Sequence, residues 1–290
     1  MDFAQRHHDI DDARPILIVG GTGKTGRRVA ERLVDAGRSV RIAARSTTPR
    51  FDWNEPDTWD HCLDGVTAAY VAYYPDLGFP GAADTLATFA ETAARRGVER
   101  LVLLSGRGEE DAALSEAAVR AAYPELTVLR ASLFAQNFSE HFLLGPVLDG
   151  VIALPAGEVA EPFIDAQDVA DVAVSALIDP GYEGRLYELT GPELLTFTDV
   201  ASELSRVTGR EIVYTPVSAA DYAAGAIAHG VPPEEVAPLT DLLTRVFDGR
   251  NAFVTGDVAA VLGRPARTFA AYAAEAAVTG VWDVSLRESA

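Results

Sequence analysis

A glycine-rich stretch near the start of the chain, GGTGKTG at positions 20–26, has the residue types of two different phosphate-binding loops. The loop that binds nucleoside triphosphates, G-x-x-x-x-G-K-[ST], would need a glycine where the chain has Ile18. Gly20, Gly23 and Gly26 instead have the spacing of a dinucleotide-binding turn, which predicts a pyrophosphate at the start of the following helix. An ordinary tight strand-to-helix turn is the alternative. The neighbouring side chains expected to contact the cofactor are Thr22, Lys24 and Thr25.

The residue at the end of the second apolar run distinguishes proteins that bind NAD from proteins that bind NADP. Proteins that bind NAD usually carry a carboxylate there for the ribose hydroxyls, whereas an arginine suits the additional phosphate of NADP. The run RIAARSTTPR places Arg45 and Ser46 at this point, and no carboxylate occurs between Asp35 and Asp52. Because guanidinium binds phosphate in a bidentate manner, the sequence predicts NADP(H), with Lys24 able to add to the same anion site. A solvated Arg45 on the surface is the alternative.

Other residues at predicted strand ends are candidates for the same cofactor. The segment FDW at 51–53 is expected to form a short third strand, from which Asp52 accepts a hydrogen bond from the adenine amino group. Asp52 is equally suited to cap the helix that follows. The next strand ends at AYYP, where the aromatic rings either line the nicotinamide side of the cleft or simply pack. The further candidates for cofactor contact are Asp52, Trp53, Tyr73, Tyr74, Pro75 and Ser105.

The elements that must position these residues alternate regularly. From Ile16 onward, apolar runs such as ILIVG and LVLLS are separated by helical stretches, which is the order of βαβ units. Because these runs are apolar throughout, we expect a parallel sheet that helices cover on both faces. The predicted fold class is α/β, a doubly wound Rossmann sheet with a smaller C-terminal α/β lobe.

The alternation becomes looser beyond Ser132, where short strand-like pieces, RLYELTG and EIVYTPV, separate helical stretches. This change predicts that a substrate-binding lobe follows the nucleotide-binding domain. The predicted domains are a flexible lead-in at 1–13, a Rossmann domain at 14–155 with returning segments near 163–192, and a substrate lobe at 193–290. The helices predicted in this part of the chain lie at 136–148, 166–178, 198–207, 219–229 and 233–247.

Composition and charge limit the partners. The 290 residues carry a net charge of −19, which repels nucleic-acid phosphates and anionic lipid headgroups. No apolar run approaches the ~20 residues of a membrane helix, and the single cysteine, Cys62, is expected to pack as a small apolar residue. We therefore expect a cytoplasmic monomer or homodimer that binds a small molecule, without nucleic-acid or membrane partners.

Metal chemistry has little support in the sequence. The five histidines are dispersed, and none has the spacing to a second histidine or to the cysteine that a metal site needs. In FIDAQDVAD, Asp165 and Asp168 lie at an expected helix start, where carboxylates suit capping and the helix dipole better than catalysis. The sequence therefore predicts no metal ion.

Several segments, in this order and over nearly the whole chain, resemble the NmrA-like family of atypical short-chain dehydrogenase/reductases. They are ILIVGGTGKTGRRVAERL, VRIAARS, LVLLSGRG, LTVLRASLFAQNF, FIDAQDVADVAVSAL and GPELLTFTDVASELSRVTGR. FDWNEPDTW and VLGRPARTFAAYA are most similar to bacterial relatives of the ergot-alkaloid-type reductases. The resemblance implies NADP at the three glycines, in a family that includes quinone and iminium reductases as well as redox-sensing regulators. The residues that it places at the cleft are Phe134, Gln136, Asn137 and Phe138.

The catalytic pair of ordinary short-chain dehydrogenases is missing. They use Tyr-x-x-x-Lys to exchange a proton with an alcohol or ketone, but the chain's single lysine, Lys24, lies in the glycine turn. The remaining candidates for a catalytic role are Ser105, Tyr73 and Asn137. Ser105 is suited to bind a substrate carbonyl or the nicotinamide ribose, and equally to satisfy its own turn.

Without acid–base residues, the expected enzyme transfers hydride from NADPH, mainly by proximity, to an activated C=N or quinone-type acceptor. The same lack favours a non-catalytic NADP(H)-sensing regulator, and an epimerase or isomerase that retains its cofactor is a third alternative. Alanine-rich helices at 219–247 favour a small apolar acceptor. Phe134 and Phe138 also suit core packing as an i, i+4 pair on one helix. The expected substrate contacts are Phe134, Asn137, Phe138 and Tyr222.

Overall fold

The computed structural model describes residues 14–284, so the predicted lead-in at 1–13 lies outside the described residues. The chain forms two compact units. The first contains the described residues up to Ala131, together with Ala166–Leu189 and Asp257–Arg264. The second contains Ser132–Asp165, Thr190–Gly256 and the described residues from Pro265 onward. The domain boundaries predicted from the sequence stay predictions.

The first unit is built on a six-stranded, all-parallel sheet with the strand order β2-β1-β3-β4-β5-β8. Its short strands are mainly apolar, and β1 and β3 are buried at every position. The predicted α/β Rossmann sheet is therefore confirmed. The strands are β1 (Ile16–Val19), β2 (Val40–Ala43), β3 (Ala68–Val71), β4 (Arg100–Gly106), β5 (Thr127–Ala131) and β8 (Leu186–Leu189).

Helices cover both faces of this sheet. Leu17 and Val19 of β1 belong to a core cluster that includes residues of the second, third and fourth helices, while Ile16 and Ile18 are also buried and point the other way. The seventh helix contacts three of the central strands and is buried along almost its whole length. The helices of the first unit are α1 (Lys24–Asp35), α2 (Trp59–Leu63), α3 (Ala82–Arg95), α4 (Glu110–Ala122), α7 (Ala166–Ile178) and α11 (Asp257–Leu262).

The predicted third strand at 51–53 is wrong. The chain turns there, because the side chain of Asp52 accepts a hydrogen bond from the backbone N–H of Asn54 (3.1 Å) and the backbone N–H of Asp52 donates to Thr58 Oγ1 (3.1 Å). A 3₁₀ turn at Pro56–Thr58 then leads into α2. These local side-chain bonds compete with the extended backbone that a strand requires.

The second unit packs shorter elements around an aromatic core. Two small sheets, a parallel pair and an antiparallel pair, lie within it. Its core cluster includes Phe138, Phe163, Phe197 and Phe269. The elements are α5 (Asn137–Glu140), α6 (Leu144–Asp149), β6 (Val151–Leu154), β7 (Ala160–Glu161), β9 (Leu195–Thr196), α8 (Phe197–Thr208), β10 (Val213–Pro216), α9 (Ala219–Ala228), α10 (Pro233–Val246) and α12 (Phe269–Val278).

The single helix predicted at 136–148 is wrong, because α5 and α6 are separate. His141 has an extended backbone (φ −147°, ψ −155°), which ends α5 after one turn. Phe134 lies before α5 in an isolated parallel bridge to Ile164, so Phe134 and Phe138 do not form a pair on one helix. Pro146 lies in the first turn of α6, where its missing N–H costs no helical bond.

Candidate active site

In the glycine turn after β1, close neighbouring atoms leave little room for a side chain at the glycine positions. Gly20 has φ +76°, a conformation that favours glycine, and its carbonyl accepts a 2.9 Å hydrogen bond from the N–H of Gly23. A Cβ added at Gly26 would overlap the carbonyl group of Gly20. Gly21, which the motif spacing does not single out, is also restricted, although less severely, because its Cβ would lie 2.8 Å from Cγ2 of Ile42.

The start of α1 has the electrostatics of an anion site. Gly23 is its N-cap residue and supplies no side-chain cap, and the first turn contains no acidic residue. The positive end of the helix dipole is therefore not neutralised from within its first turn. Thr22 and Gly23 are exposed at this point and Lys24 is half-buried.

Thr25 has a different position from its neighbours. It is buried, and its Oγ1 accepts a 2.9 Å hydrogen bond from the hydroxyl of Tyr70 on β3. Burial raises the pKa of Tyr70, so this phenol stays a donor. Thr25 thus links the first turn of α1 to the sheet.

Arg45 follows β2 and keeps its charge available. It is exposed, and no carboxylate of the described residues forms an ion pair with it. Its guanidinium lies 6.0 Å from the ring centroid of Tyr74, which is also exposed. Arg50, five residues further on, is instead paired with Asp52 (2.8 Å) and Glu55 (2.5 Å). Ser46 is exposed beside Arg45.

The predicted cap role of Asp52 is wrong, since Glu55 is the N-cap of the 3₁₀ turn and Thr58 that of α2. The carboxylate of Asp52 is bound to Arg50 and to the turn described above. Its proposed contact with adenine stays a prediction.

The aromatic candidates are partly used in packing. Trp53 and Tyr73 are half-buried, with ring centroids 4.8 Å apart, and Trp53 also packs edge-on against Phe51 and Phe89. Tyr74 is the exposed ring among these three aromatic candidates, and its peptide bond to Pro75 is cis. Tyr73 and Tyr74 therefore differ in how much ring surface they offer a ligand.

Ser105 belongs to a buried charged network that the sequence did not reveal. Its Oγ lies 2.5 Å from Oε1 of Glu116 on α4. Glu116 is in turn held by Arg130 of β5, through Nε to Oε1 (2.8 Å) and NH2 to Oε2 (2.7 Å), and this hydrogen bonding raises the pKa of Arg130. The one signal in the sequence is an arginine within the otherwise uncharged strand TVLRA. Ser105 satisfies neither its own turn nor a neighbouring backbone group.

The second-unit candidates differ in burial. Phe138 is fully buried, with ring centroids 5.7 Å from Phe163 and 5.5 Å from Phe269, which is a core position. Asn137 is also buried. Phe134 and Tyr222 are half-buried, and burial raises the pKa of the Tyr222 phenol. The substrate roles of these residues stay predictions.

The two aspartates of FIDAQDVAD serve as ion-pair partners. Asp165 immediately precedes α7 and accepts from Gln136 (2.6 Å) and Arg267 (2.7 Å). Asp168 lies in the first turn of α7, is completely buried, and pairs with Arg264 at 2.7 Å. Both carboxylates therefore hold arginines from near the end of the chain, a role that local spacing does not indicate.

No group of three or more His, Cys, Asp or Glu side chains within residues 14–284 is arranged to hold a metal ion. No helix in that part of the chain is long and apolar enough to span a membrane. Cys62 is buried, as its sequence context predicts.

Known proteins resemble the chain over nearly its whole length. No family model matches it. It is 31% identical to agroclavine dehydrogenase of Claviceps fusiformis, with 90% of the chain and 96% of the relative covered. It is also 31% identical to an NAD(P)H azoreductase of Xenophilus azovorans, with 91% and 99% covered.

A solved structure, the NADPH-dependent quinone oxidoreductase QOR2 of Escherichia coli complexed with NADPH, shares the fold with a TM-score of 0.77, at 21% identity, over 90% of the chain and 99% of the neighbour. The two curated relatives carry the names of oxidoreductases, which confirms the predicted enzyme class. With relatives of this identity and coverage, the chain belongs to the NmrA-like family of atypical short-chain dehydrogenase/reductases.

Proposed function

We propose that the protein is an NADPH-dependent reductase that transfers hydride to an activated C=N or quinone-type acceptor in a small apolar molecule. The observation that carries the proposal is Arg45, which has no carboxylate partner among residues 14–284 and follows the strand beside the glycine turn.

The residues of the first unit fit NADP(H). Side chains are excluded at Gly20, Gly21 and Gly26, so backbone N–H groups can approach a diphosphate directly. The uncapped start of α1 favours its negative charge. Arg45 would hold the additional phosphate on the adenine ribose, and the exposed ring of Tyr74 beside it offers a face for adenine.

When bound, NADPH supplies a hydride from C4 of its nicotinamide, and it leaves as NADP⁺. The acceptor must then provide most of its own activation, because the chain has no Tyr-x-x-x-Lys pair. An iminium ion becomes a neutral amine when its carbon gains hydride, so it needs no proton. A quinone becomes a phenolate, which water can protonate. Orientation by the protein then supplies the main rate enhancement.

Two relatives and one structural neighbour support a reductase of this kind through their names, which are NAD(P)H azoreductase, agroclavine dehydrogenase and NADPH-dependent quinone oxidoreductase. The half-buried Phe134 and Tyr222 of the second unit remain our proposed substrate contacts, since fully buried Phe138 is committed to the core. An apolar substrate suits such aromatic side chains.

A non-catalytic NADP(H) sensor is the second candidate. It is favoured by the position of Ser105, whose hydroxyl hydrogen points to Glu116 and is thus withheld from a substrate. A sensor would bind one redox form of the cofactor much more tightly than the other, whereas an enzyme that works by proximity has no such need.

Stopped-flow oxidation of protein-bound NADPH separates the two candidates. We expect p-quinones and cyclic iminium ions to speed the oxidation, while an unactivated ketone of similar size does not. If no acceptor speeds the oxidation and the Kd values for NADPH and NADP⁺ differ by about 100-fold or more, the sensor is supported instead. Rapid reduction of the ketone would contradict the argument for an activated acceptor.

A further inference from the structure

The buried network at Ser105 fixes the direction of one hydroxyl proton. Glu116 accepts one hydrogen bond from Ser105 and three contacts from Arg130, so both carboxylate oxygens act as acceptors. A carboxylate in this arrangement has no proton to donate, and the serine hydroxyl has only one. Ser105 is therefore the donor in its 2.5 Å bond to Glu116. What remains on its oxygen are acceptor lone pairs.

The carboxylate that sets this direction cannot easily turn away. Arg130 binds both oxygens of the Glu116 carboxylate in a bidentate manner. The NH1 group of Arg130 lies 3.6 Å from Glu188 on β8. Glu188 is also held by the buried Arg107, whose Nε lies 3.2 Å from it. Charges therefore alternate from α4 across β5 to β8, and each one restrains the next.

The strand order indicates which part of a dinucleotide would reach Ser105. The glycine turn follows β1, and Arg45 follows β2 on one side of it. If Arg45 takes the phosphate on the adenine ribose, the nicotinamide half must extend to the other side, over the carboxyl ends of β3 and β4. Ser105 is the second-last residue of β4, about 10 Å from β1 at the spacing of adjacent strands.

We propose that Ser105 accepts a hydrogen bond from a donor on the nicotinamide half of the cofactor, either a ribose hydroxyl or the carboxamide N–H, and that Glu116 and Arg130 are positioning residues that impose this polarity. The inference rests on the proposed function, since it needs NADP(H) in the first unit. Ser105 then orients the cofactor and donates no proton to a substrate. Two residues that the sequence did not single out, Glu116 and Arg130, also gain a role.

The test compares NADPH with adenosine 2′,5′-bisphosphate, which shares the phosphate-bearing adenosine half and lacks the nicotinamide half. Ser105→Ala removes the acceptor with a minimal change of volume and should weaken NADPH about tenfold, the effect of one hydrogen bond. It should leave the Kd of the bisphosphate unchanged. Ser105→Thr keeps the hydroxyl and should restore NADPH affinity to within about threefold of the wild type.

The positioning residues are tested in the same way. Glu116→Gln presents an N–H to either Ser105 or Arg130 and should weaken NADPH as much as Ser105→Ala does. Because that variant disturbs a buried ion pair and risks misfolding, Arg130→Lys provides a milder change that keeps the charge but loses the fork. We expect Arg130→Lys to weaken NADPH by about threefold, again without effect on the bisphosphate.

The two donor sources are separated by the 3-acetylpyridine analogue of NADPH, in which a methyl group replaces the NH2 group of the carboxamide. A ribose hydroxyl as donor predicts that Ser105→Ala weakens the analogue as much as NADPH, whereas a carboxamide donor predicts no further loss. If Ser105→Ala leaves NADPH affinity unchanged, or weakens the bisphosphate equally, the inference is overturned while the proposed function stands. If the wild type binds the bisphosphate but not NADPH, the proposed function fails first.

Discussion

Tyr70 of β3 donates its hydroxyl hydrogen to Oγ1 of Thr25 in the first turn of α1, with 2.9 Å between the oxygens. Both side chains are buried. The bond joins the central part of the sheet to the helix terminus where the pyrophosphate is proposed, so it couples the stability of the fold to the geometry of that terminus.

We expect Tyr70→Phe to lower the free energy of unfolding by about 1 kcal/mol, because it deletes one buried hydrogen bond and keeps the ring. Urea denaturation monitored by circular dichroism measures the change. Tyr74→Phe is the matched control, since its ring is exposed, and should change stability by less than about 0.5 kcal/mol. If Tyr70→Phe lowers the free energy of unfolding as little as Tyr74→Phe does, the Tyr70–Thr25 bond contributes nothing to stability.

Arg45 and Arg50 allow a controlled test of cofactor choice. Arg45→Ala should weaken NADPH by about 10- to 100-fold, the effect of losing a charge-assisted hydrogen bond, and should change NADH affinity little. Arg50 is already paired with Asp52 and Glu55, so Arg50→Ala should leave the ratio of the two affinities unchanged. Fluorescence titration of the wild type and both variants with both dinucleotides gives the six constants. Parallel losses of NADPH and NADH in Arg45→Ala would mean that Arg45 does not bind the additional phosphate.

Gly26, the last glycine of the turn, is expected to tolerate no side chain. Gly26→Ala forces its Cβ into the Gly20 carbonyl group, so we expect α1 to shift, NADPH binding to be lost and stability to fall by about 1–3 kcal/mol. Gly225→Ala on α9 is the control, because no heavy atom lies within 4 Å of its added Cβ and alanine favours helices. Calorimetry on both variants checks this, and unchanged NADPH affinity in Gly26→Ala would rule out the close approach.

Tyr123 makes the free energy of unfolding depend on pH in the alkaline range. Burial raises its pKa to about 12 from an ordinary value of 10.0, and its hydroxyl donates to the carbonyl of Val98. The folded protein therefore keeps this proton at pH values where the unfolded chain has lost it. This contribution is complete below about pH 10 and is lost as the pH rises towards about 12.

The free energy of unfolding should accordingly decline across that interval, and Tyr123→Phe should make the decline shallower. Urea titrations at several alkaline pH values give both slopes. The same slope in Tyr123→Phe and the wild type would assign the decline to other groups.

The sheet and its glycine turn could be predicted because their signals are local. Five of the six strands of the sheet are separate apolar runs, and the turn depends on three glycines within seven residues. The strand predicted at 51–53 failed for a reason that is also local but harder to recognise, since one Asp52 carboxylate bonds to the backbone two residues on and turns the chain.

The network around Ser105 could not be predicted in this way. Its members lie 11 and 14 residues apart, on three different elements, and meet only after β4, α4 and β5 have packed. An arginine in a buried strand predicts that a carboxylate partner exists, because an unpaired buried charge is costly, but the sequence does not indicate which carboxylate.

The first unit includes a segment, Asp257–Arg264, that follows the rest of this unit in the chain by 67 residues and supplies α11. Within it, Asp257 accepts the backbone N–H of Glu188 at 2.7 Å, and Arg264 pairs with the completely buried Asp168. A ribosome that has synthesised only the first 256 residues therefore holds a sheet whose α7 still lacks this arginine. The first unit is thus incomplete without this segment, and a fragment that ends before residue 257 is a poor choice for expressing it alone.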